Sequence, residues 1–140
     1  MNRSVRNILF PVILLLLSCE KQDTFLSCSD CTATEPAVVK ITVNVDPFEP
    51  PDLPTEIRVY QGELEDSILL QKIISQNGPI EVSVYINKKY TVTATYRIKE
   101  RTYIAIDSTT PKVGLESKRC DNPCYYPYNN SVDLRLRYSR

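Results

Sequence analysis

From Pro36 onward, apolar and polar residues alternate with a period of two, the pattern of strands that bury one face and wet the other. Ala37 to Val45 sets Val39, Ile41, Val43 and Val45 on one side and predicts a first strand. It ends in a loop from Asp46 to Pro54, whose four prolines withdraw backbone donors. Ile57 to Tyr60 predicts a second strand, the acidic stretch Gly62 to Asp66 a turn, and Ser67 to Ser75 a third strand. Asn77-Gly78 is the dipeptide of a type I′ hairpin turn, predicted to join that strand to Ile80–Val84. After a turn at Asn87-Lys88, the run Tyr90 to Ile98 alternates most cleanly, with Thr91, Thr93 and Thr95 expected to face water. A tight turn near Lys99-Glu100 leads into Thr102–Asp107. A loop of about twenty residues then precedes a last strand, Ser131–Tyr138. About seven strands with almost no helical periodicity predict an all-β fold, a single antiparallel β-sandwich.

The N-terminus follows another pattern. Arg3 and Arg6 precede an apolar run from Ile8 to Leu17, about half of the ~20 residues a membrane-spanning helix needs, so the run reads as a secretory signal. Leu16-Leu17-Ser18-Cys19 ends it, with a leucine three residues before the cysteine and a small residue directly before it. This segment resembles the lipobox of bacterial lipoproteins. The resemblance implies that residues 1–18 are a cleaved signal peptide and that Cys19 receives a diacylglyceryl group and starts the mature chain. Residues 19–27 would be a lipidated tether and 28–140 the β-sandwich domain. Two or three acyl chains attach a protein to a bilayer durably, so the expected location is the bacterial cell envelope, at the outer membrane, facing periplasm or surface. Glu20-Lys21-Gln22-Asp23 resembles the sorting signals of Bacteroidetes-type lipoproteins, reads equally as an ordinary solvated tether, and leaves the leaflet open.

Composition narrows the chemistry. The 140 residues are 42% hydrophobic and 24% charged, with 17 basic and 17 acidic residues. Loss of Arg3 and Arg6 with the signal leaves a net charge of −2, so no electrostatic term favours nucleic acid. Histidine is absent, which excludes Ser-His and Cys-His hydrolases and His-ligated zinc or haem sites, and no cofactor is expected.

Assigning Cys19 to lipid leaves Cys28, Cys31, Cys120 and Cys124, an even number in two clusters. In an oxidising compartment two disulfides are expected; of the three connectivities, the two that link the clusters close the longer loops and restrict the unfolded chain most, and two local bridges are the opposing reading. A four-thiolate zinc site and a redox-active Cys-x-x-Cys are the alternatives; the redox reading lacks a helix opening at Cys28.

Three further groups could carry function. Glu63, Glu65 and Asp66 could hold calcium, although their spacing is not that of an EF-hand loop and a solvated turn is the simpler expectation. Asp107-Ser108-Thr109-Thr110-Pro111 reads as a strand end and a side-chain-stabilised turn. Tyr125, Tyr126 and Tyr128, beside Asn129 and Asn130, offer a ligand surface for a protein or carbohydrate, or cap the end of the sandwich. Lys89 to Tyr96 resembles the tyrosine-bearing strand of prealbumin-like or fibronectin type III modules, and the absence of tryptophan leans toward the prealbumin-like form. The expected protein is therefore not an enzyme. It is a lipid-anchored envelope protein acting as a binding or accessory module, or alternatively a structural subunit of a surface assembly. A carboxylate-dependent hydrolase is a third reading, with no motif behind it.

Overall fold

A computed structural model describes residues 27–47, 53–118 and 120–137. The expected signal peptide, Cys19, the expected tether up to residue 26, residues 48–52 of the proline loop and Tyr138 lie outside the described residues. Within them the protein is small, all-β and disulfide-linked. It has nine strands: β1 (Val38–Asn44), β2 (Leu53–Gln61), β3 (Ile68–Ser75), β4 (Ile80–Tyr85), β5 (Tyr90–Ile98), β6 (Arg101–Thr109), β7 (Lys112–Glu116), β8 (Cys124–Tyr128) and β9 (Ser131–Asp133). Among the described residues no helix is long and apolar enough to cross a membrane.

The strands form three sheets, in the orders β4-β1-β9, β3-β2-β5-β6 and β7-β8. Alternation explains which side chains turn inward. Val39, Ile41 and Val43 of β1 are buried, and the antiparallel register Ile41↔Val82 and Val39↔Val84 brings the apolar face of β4 to the same side. In the second sheet Ile57 and Val59 of β2 face inward with Tyr90, Val92, Ala94 and Tyr96 of β5. These residues, with Val45, Val132 and Leu134, make one buried cluster fed by both sheets. Each such side chain, fully removed from water, contributes about 1.5–3 kcal/mol before entropy is charged against it.

Four expectations change. β9 lies parallel to β1, with Val43↔Val132, so the arrangement is not purely antiparallel. The expected strand Ser131–Tyr138 keeps ladder pairing only to Asp133, beyond which Leu134 is buried and the Leu136 amide donates to Asp46. Asn77-Gly78 does not close a hairpin: β3 and β4 belong to different sheets, and Gly78–Pro79 is a cis peptide. Proline has no N–H for a ladder, and Gly78 passes so close to β1 that an added Cβ would come 2.6 Å from the Val45 carbonyl oxygen. Lastly, Thr91 and Thr93 are buried rather than wet. Cross-strand neighbours cover them: Tyr60 and Ser108 flank Thr91, and Arg58 and Ile106 flank Thr93. The turn at Lys99-Glu100 is present, joining the pair Ile98↔Arg101.

Tyr96 ties the sheets together. Its hydroxyl donates to the Leu134 carbonyl at 2.8 Å and accepts from the Asp46 amide at 3.2 Å, linking β5 to the segments after β9 and β1. Burial pushes the phenol up to about 12. A phenol that stays protonated to higher pH when folded stabilises the fold below its ordinary value near 10, and that contribution fades as pH rises toward 12. Alkaline unfolding followed by circular dichroism should therefore steepen within this window. Tyr96→Phe should flatten the transition and cost about 1–3 kcal/mol at neutral pH by leaving Asp46 N–H and Leu134 C=O without this partner; an unchanged alkaline profile would contradict this role.

Candidate functional site

The segment expected to be a long loop builds the site. β6 runs on to Thr109, the chain turns through Thr110-Pro111, and β7 and β8 pair as a two-stranded antiparallel sheet. Hydrophobic alternation missed this pair because Gly114 breaks β7 and Pro127 interrupts β8. Register places Lys112, Gly114 and Glu116 on one face with Tyr128, Tyr126 and Cys124. Tyr126 lies over Gly114: a Cβ there would come 2.6 Å from the ring's Cζ, so only glycine admits the ring in this position. The rings of Tyr126 and Tyr128 are 6.4 Å apart and tilted by 46°, an aromatic pair of which Tyr128 is the more exposed. Tyr125 points to the opposite face, half-buried, and its backbone pairs with Thr32.

Next to Tyr128 opens a cleft of about 530 Å³, lined by Ser108, Thr109, Thr110, Lys112, Asn129 and Ser131. Its walls are fixed by local hydrogen bonds. Thr109 Oγ1 donates to the Asn129 carbonyl, and Asn129 takes a left-handed backbone conformation (φ 51°) that asparagine tolerates. Asn130 anchors the turn to β1, its carbonyl accepting from Thr42 N at 2.8 Å and its amide donating to the Lys40 carbonyl at 3.3 Å. Asp107 accepts from the amides of Ser108 and Asp133 at 2.8 and 2.9 Å, joining β6 to β9. Arg135 pairs with Asp133 at 2.8 Å and holds that carboxyl well below the usual range, at about 2. The cleft is thus lined by residues that carry hydroxyls, a side-chain amide and the Lys112 ammonium, and Lys112 is paired with Tyr128 in the ladder. Such groups can hydrogen-bond a polyhydroxylated ligand. Without histidine, its serines and threonines lack the usual base that would make them nucleophiles.

Above the β7-β8 pair sits the cystine cap. Cys28 bonds to Cys120 and Cys31 to Cys124, both between the clusters, with Cα–Cα separations of 5.8 and 5.2 Å. Two disulfides indicate an extracytoplasmic protein.

Compared with protein-family models, curated proteins and solved structures, the chain matches none.

Glu56, Glu63 and Asp66 are engaged within the fold. Glu63 pairs with Lys89, and Asp66 accepts from the Glu63 amide at 2.9 Å, capping the 3-10 turn Leu64–Asp66, so two of the three clustered carboxylates hold local structure. Buried Glu56 is clamped by Lys72 at 2.9 Å and Arg58 at 2.6 Å, and the Lys72 hydrogen bond is the chief cause holding its carboxyl below the ordinary range. Ser108, Thr109 and Thr110, which the sequence presents only as a turn, are the cleft-lining positions that the sequence reading left aside. Their signal was the run of three hydroxyls, but its meaning depends on Asn129 and Ser131 coming to meet it.

Proposed function

We propose that this is a non-catalytic, lipid-anchored protein of the bacterial envelope, held by acyl chains on Cys19, whose domain is a β-sandwich of prealbumin-like or immunoglobulin-like type and whose ligand is a carbohydrate. The observation that carries the ligand class is the cleft, whose lining side chains carry hydroxyl, amide and ammonium groups, with Tyr128 paired to its Lys112 in the β7-β8 ladder. Sugars bind through such a combination, with polar groups reading hydroxyls and flat rings covering the apolar face of the pyranose. The sandwich reading is supported by the single buried cluster shared between the three- and four-stranded sheets.

Binding of the protein to a panel of immobilised glycans tests this reading. Tyr128→Ala should weaken binding about tenfold, in keeping with the ~1–3 kcal/mol of a good stacking contact. Gly114→Ala should weaken it comparably by displacing the Tyr126 ring, while leaving thermal stability nearly unchanged. Binding that ignores both substitutions would remove the cleft from consideration. Attachment is tested separately: Cys19→Ala should abolish palmitate incorporation and release the protein from membranes, and continued attachment would end the lipid-anchor reading.

A second reading, a structural subunit of an envelope assembly, is favoured by a different surface. On the outer face of the four-stranded sheet Ile74, Ile104 and Ile106 are more than half exposed, beside exposed Leu69 and Leu70 on the outermost strand β3. Apolar side chains grouped in this way mark contact surfaces, and an outer strand can pair with a partner strand. Sizing in mild detergent separates the readings: a persistent large complex supports assembly, a monomer supports the ligand-binding module.

A further inference from the structure

We propose that the four bridge cysteines, when reduced, form a tetrathiolate site for zinc, so that the cystine cap is a redox-gated metal site. This inference is independent of the carbohydrate reading, because it concerns the opposite end of the β7-β8 pair from the cleft.

The sulfurs of Cys31, Cys120 and Cys124 lie within 4.8 Å of one another, and Cys28 is bonded to Cys120. In a tetrahedral zinc site with Zn–S distances near 2.3 Å, sulfurs stand roughly 3.8 Å apart. Cys31, Cys120 and Cys124 are already grouped near that spacing, and Cys28, tethered beside them by its bond to Cys120, must turn inward as the fourth ligand once that bond opens. The ligands also come in the short-spaced pairs that zinc sites use, Cys28-x-x-Cys31 and Cys120-x-x-x-Cys124. Since the chain has no histidine, a four-ligand site of the structural kind would be built of thiolates alone.

What makes the site survive reduction is the backbone. Thr32 and Tyr125, which directly follow Cys31 and Cys124, exchange two hydrogen bonds of 3.0 and 2.9 Å. In the first arm the Asp30 amide donates to the Ser27 carbonyl at 2.9 Å and closes the turn that carries Cys28 and Cys31. In the second, Cys124 is buried and opens β8, paired with Glu116 of β7. Both arms therefore have contacts other than the S–S bonds to keep them side by side, and four thiolates would be released into a partly formed site rather than into a mobile chain. The cap also borders an open space of about 320 Å³ lined by Cys28, Cys31 and Cys120, through which an ion could enter, with Cys124 buried behind it.

The chemistry balances with a dithiol reductant. Each disulfide accepts two electrons and two protons to become two thiols while one dithiol closes to its own disulfide; two dithiols serve both bridges. Zinc then takes the four sulfurs as thiolates and releases four protons to solvent, so binding tightens as pH rises. Oxidised and metal-bound forms exclude each other, because a sulfur in a disulfide has no thiolate charge to donate. In both forms the segment 28–31 stays joined to 120–124.

The test uses the full chain carrying Cys19→Ser, so that only these four thiols are present, reduced without oxygen by a phosphine and titrated with cobalt(II) in mild detergent. Expected are one equivalent of cobalt with the sulfur-to-cobalt charge transfer and visible bands of a four-sulfur tetrahedral site, displaced by zinc, and no such bands from the oxidised protein. Cys28→Ser in the same background should weaken zinc binding about a hundredfold. Absent bands with four free thiols and an intact sheet spectrum, an intensity below that of four sulfurs, or an unaltered affinity in Cys28→Ser would overturn the proposal. Should the reduced chain lose its sheet spectrum, zinc must restore it; failure to do so would overturn the proposal equally.

Discussion

Replacing all four bridge cysteines by serine is expected to lower the unfolding free energy by about 7 kcal/mol, whereas removing either bridge alone should cost only about 2.5 kcal/mol. The two bridges span 92 and 93 residues and join the same two short segments. Whichever remains still closes the long loop, so the first removal releases only a small ring of chain between Cys28 and Cys31 and between Cys120 and Cys124. The second removal releases the whole intervening domain, about 4.6 kcal/mol of unfolded-state entropy. The effect is thus strongly non-additive, and the combined loss falls within the ~5–15 kcal/mol that stabilises an ordinary domain. Denaturant unfolding of the three variants, with a chelator present to keep metal from substituting for the bridges, measures it. Equal and additive losses would mean that the bridges act through local strain or packing and not through the loop they share.

Ile41→Ala is expected to cost about 4 kcal/mol, and Ile106→Ala less than about 0.5 kcal/mol. Both are isoleucines inside strands, and the difference lies in the direction each faces. Ile41 is fully buried in the central strand of the three-stranded sheet, where truncation leaves a cavity lined by neighbours held in two sheets. Ile106 is 56% exposed on the outer face of β6, and its loss uncovers little beyond Thr93. Midpoints of urea unfolding at unchanged m-value supply the comparison. A large loss at Ile106 in the isolated protein would show that the outer face is already covered, as in an assembly of copies.

Much of the fold is legible along the chain because a strand's facing rule is local. Val39, Ile41 and Val43 lie on the buried side where alternation puts them, and Tyr90, Val92, Ala94 and Tyr96 do likewise. The two-residue turn at Lys99-Glu100 follows from the strands on either side. The same rule fails where the covering residues are distant: nothing near Thr93 reveals that Arg58 and Ile106 will lie over it. It fails again at Asn77-Gly78, where a good turn dipeptide is overruled by Pro79 and by the close approach to Val45. The candidate site was half legible. Its tyrosines and asparagines stand out in the sequence, but Ser108, Thr109 and Thr110 come from the end of β6 and the turn after it and meet Asn129 and Ser131 where the β7-β8 pair ends.

By itself, then, the sequence determined the all-β class, the inward faces of the central strands, the exclusion of histidine chemistry, and the expectation of bridges between two cysteine clusters. Each depends on residue identity or on spacing of two along one strand. The tertiary structure alone decided the order of strands in the sheets, the parallel placement of β9 on β1, the choice of Cys28–Cys120 and Cys31–Cys124, and the cleft beside Tyr128. These are pairings between segments tens of residues apart, and several alternatives satisfy the same local pattern. The pairing realised is the one in which apolar residues of both sheets enter one buried cluster at once, a condition that only the folded chain can meet.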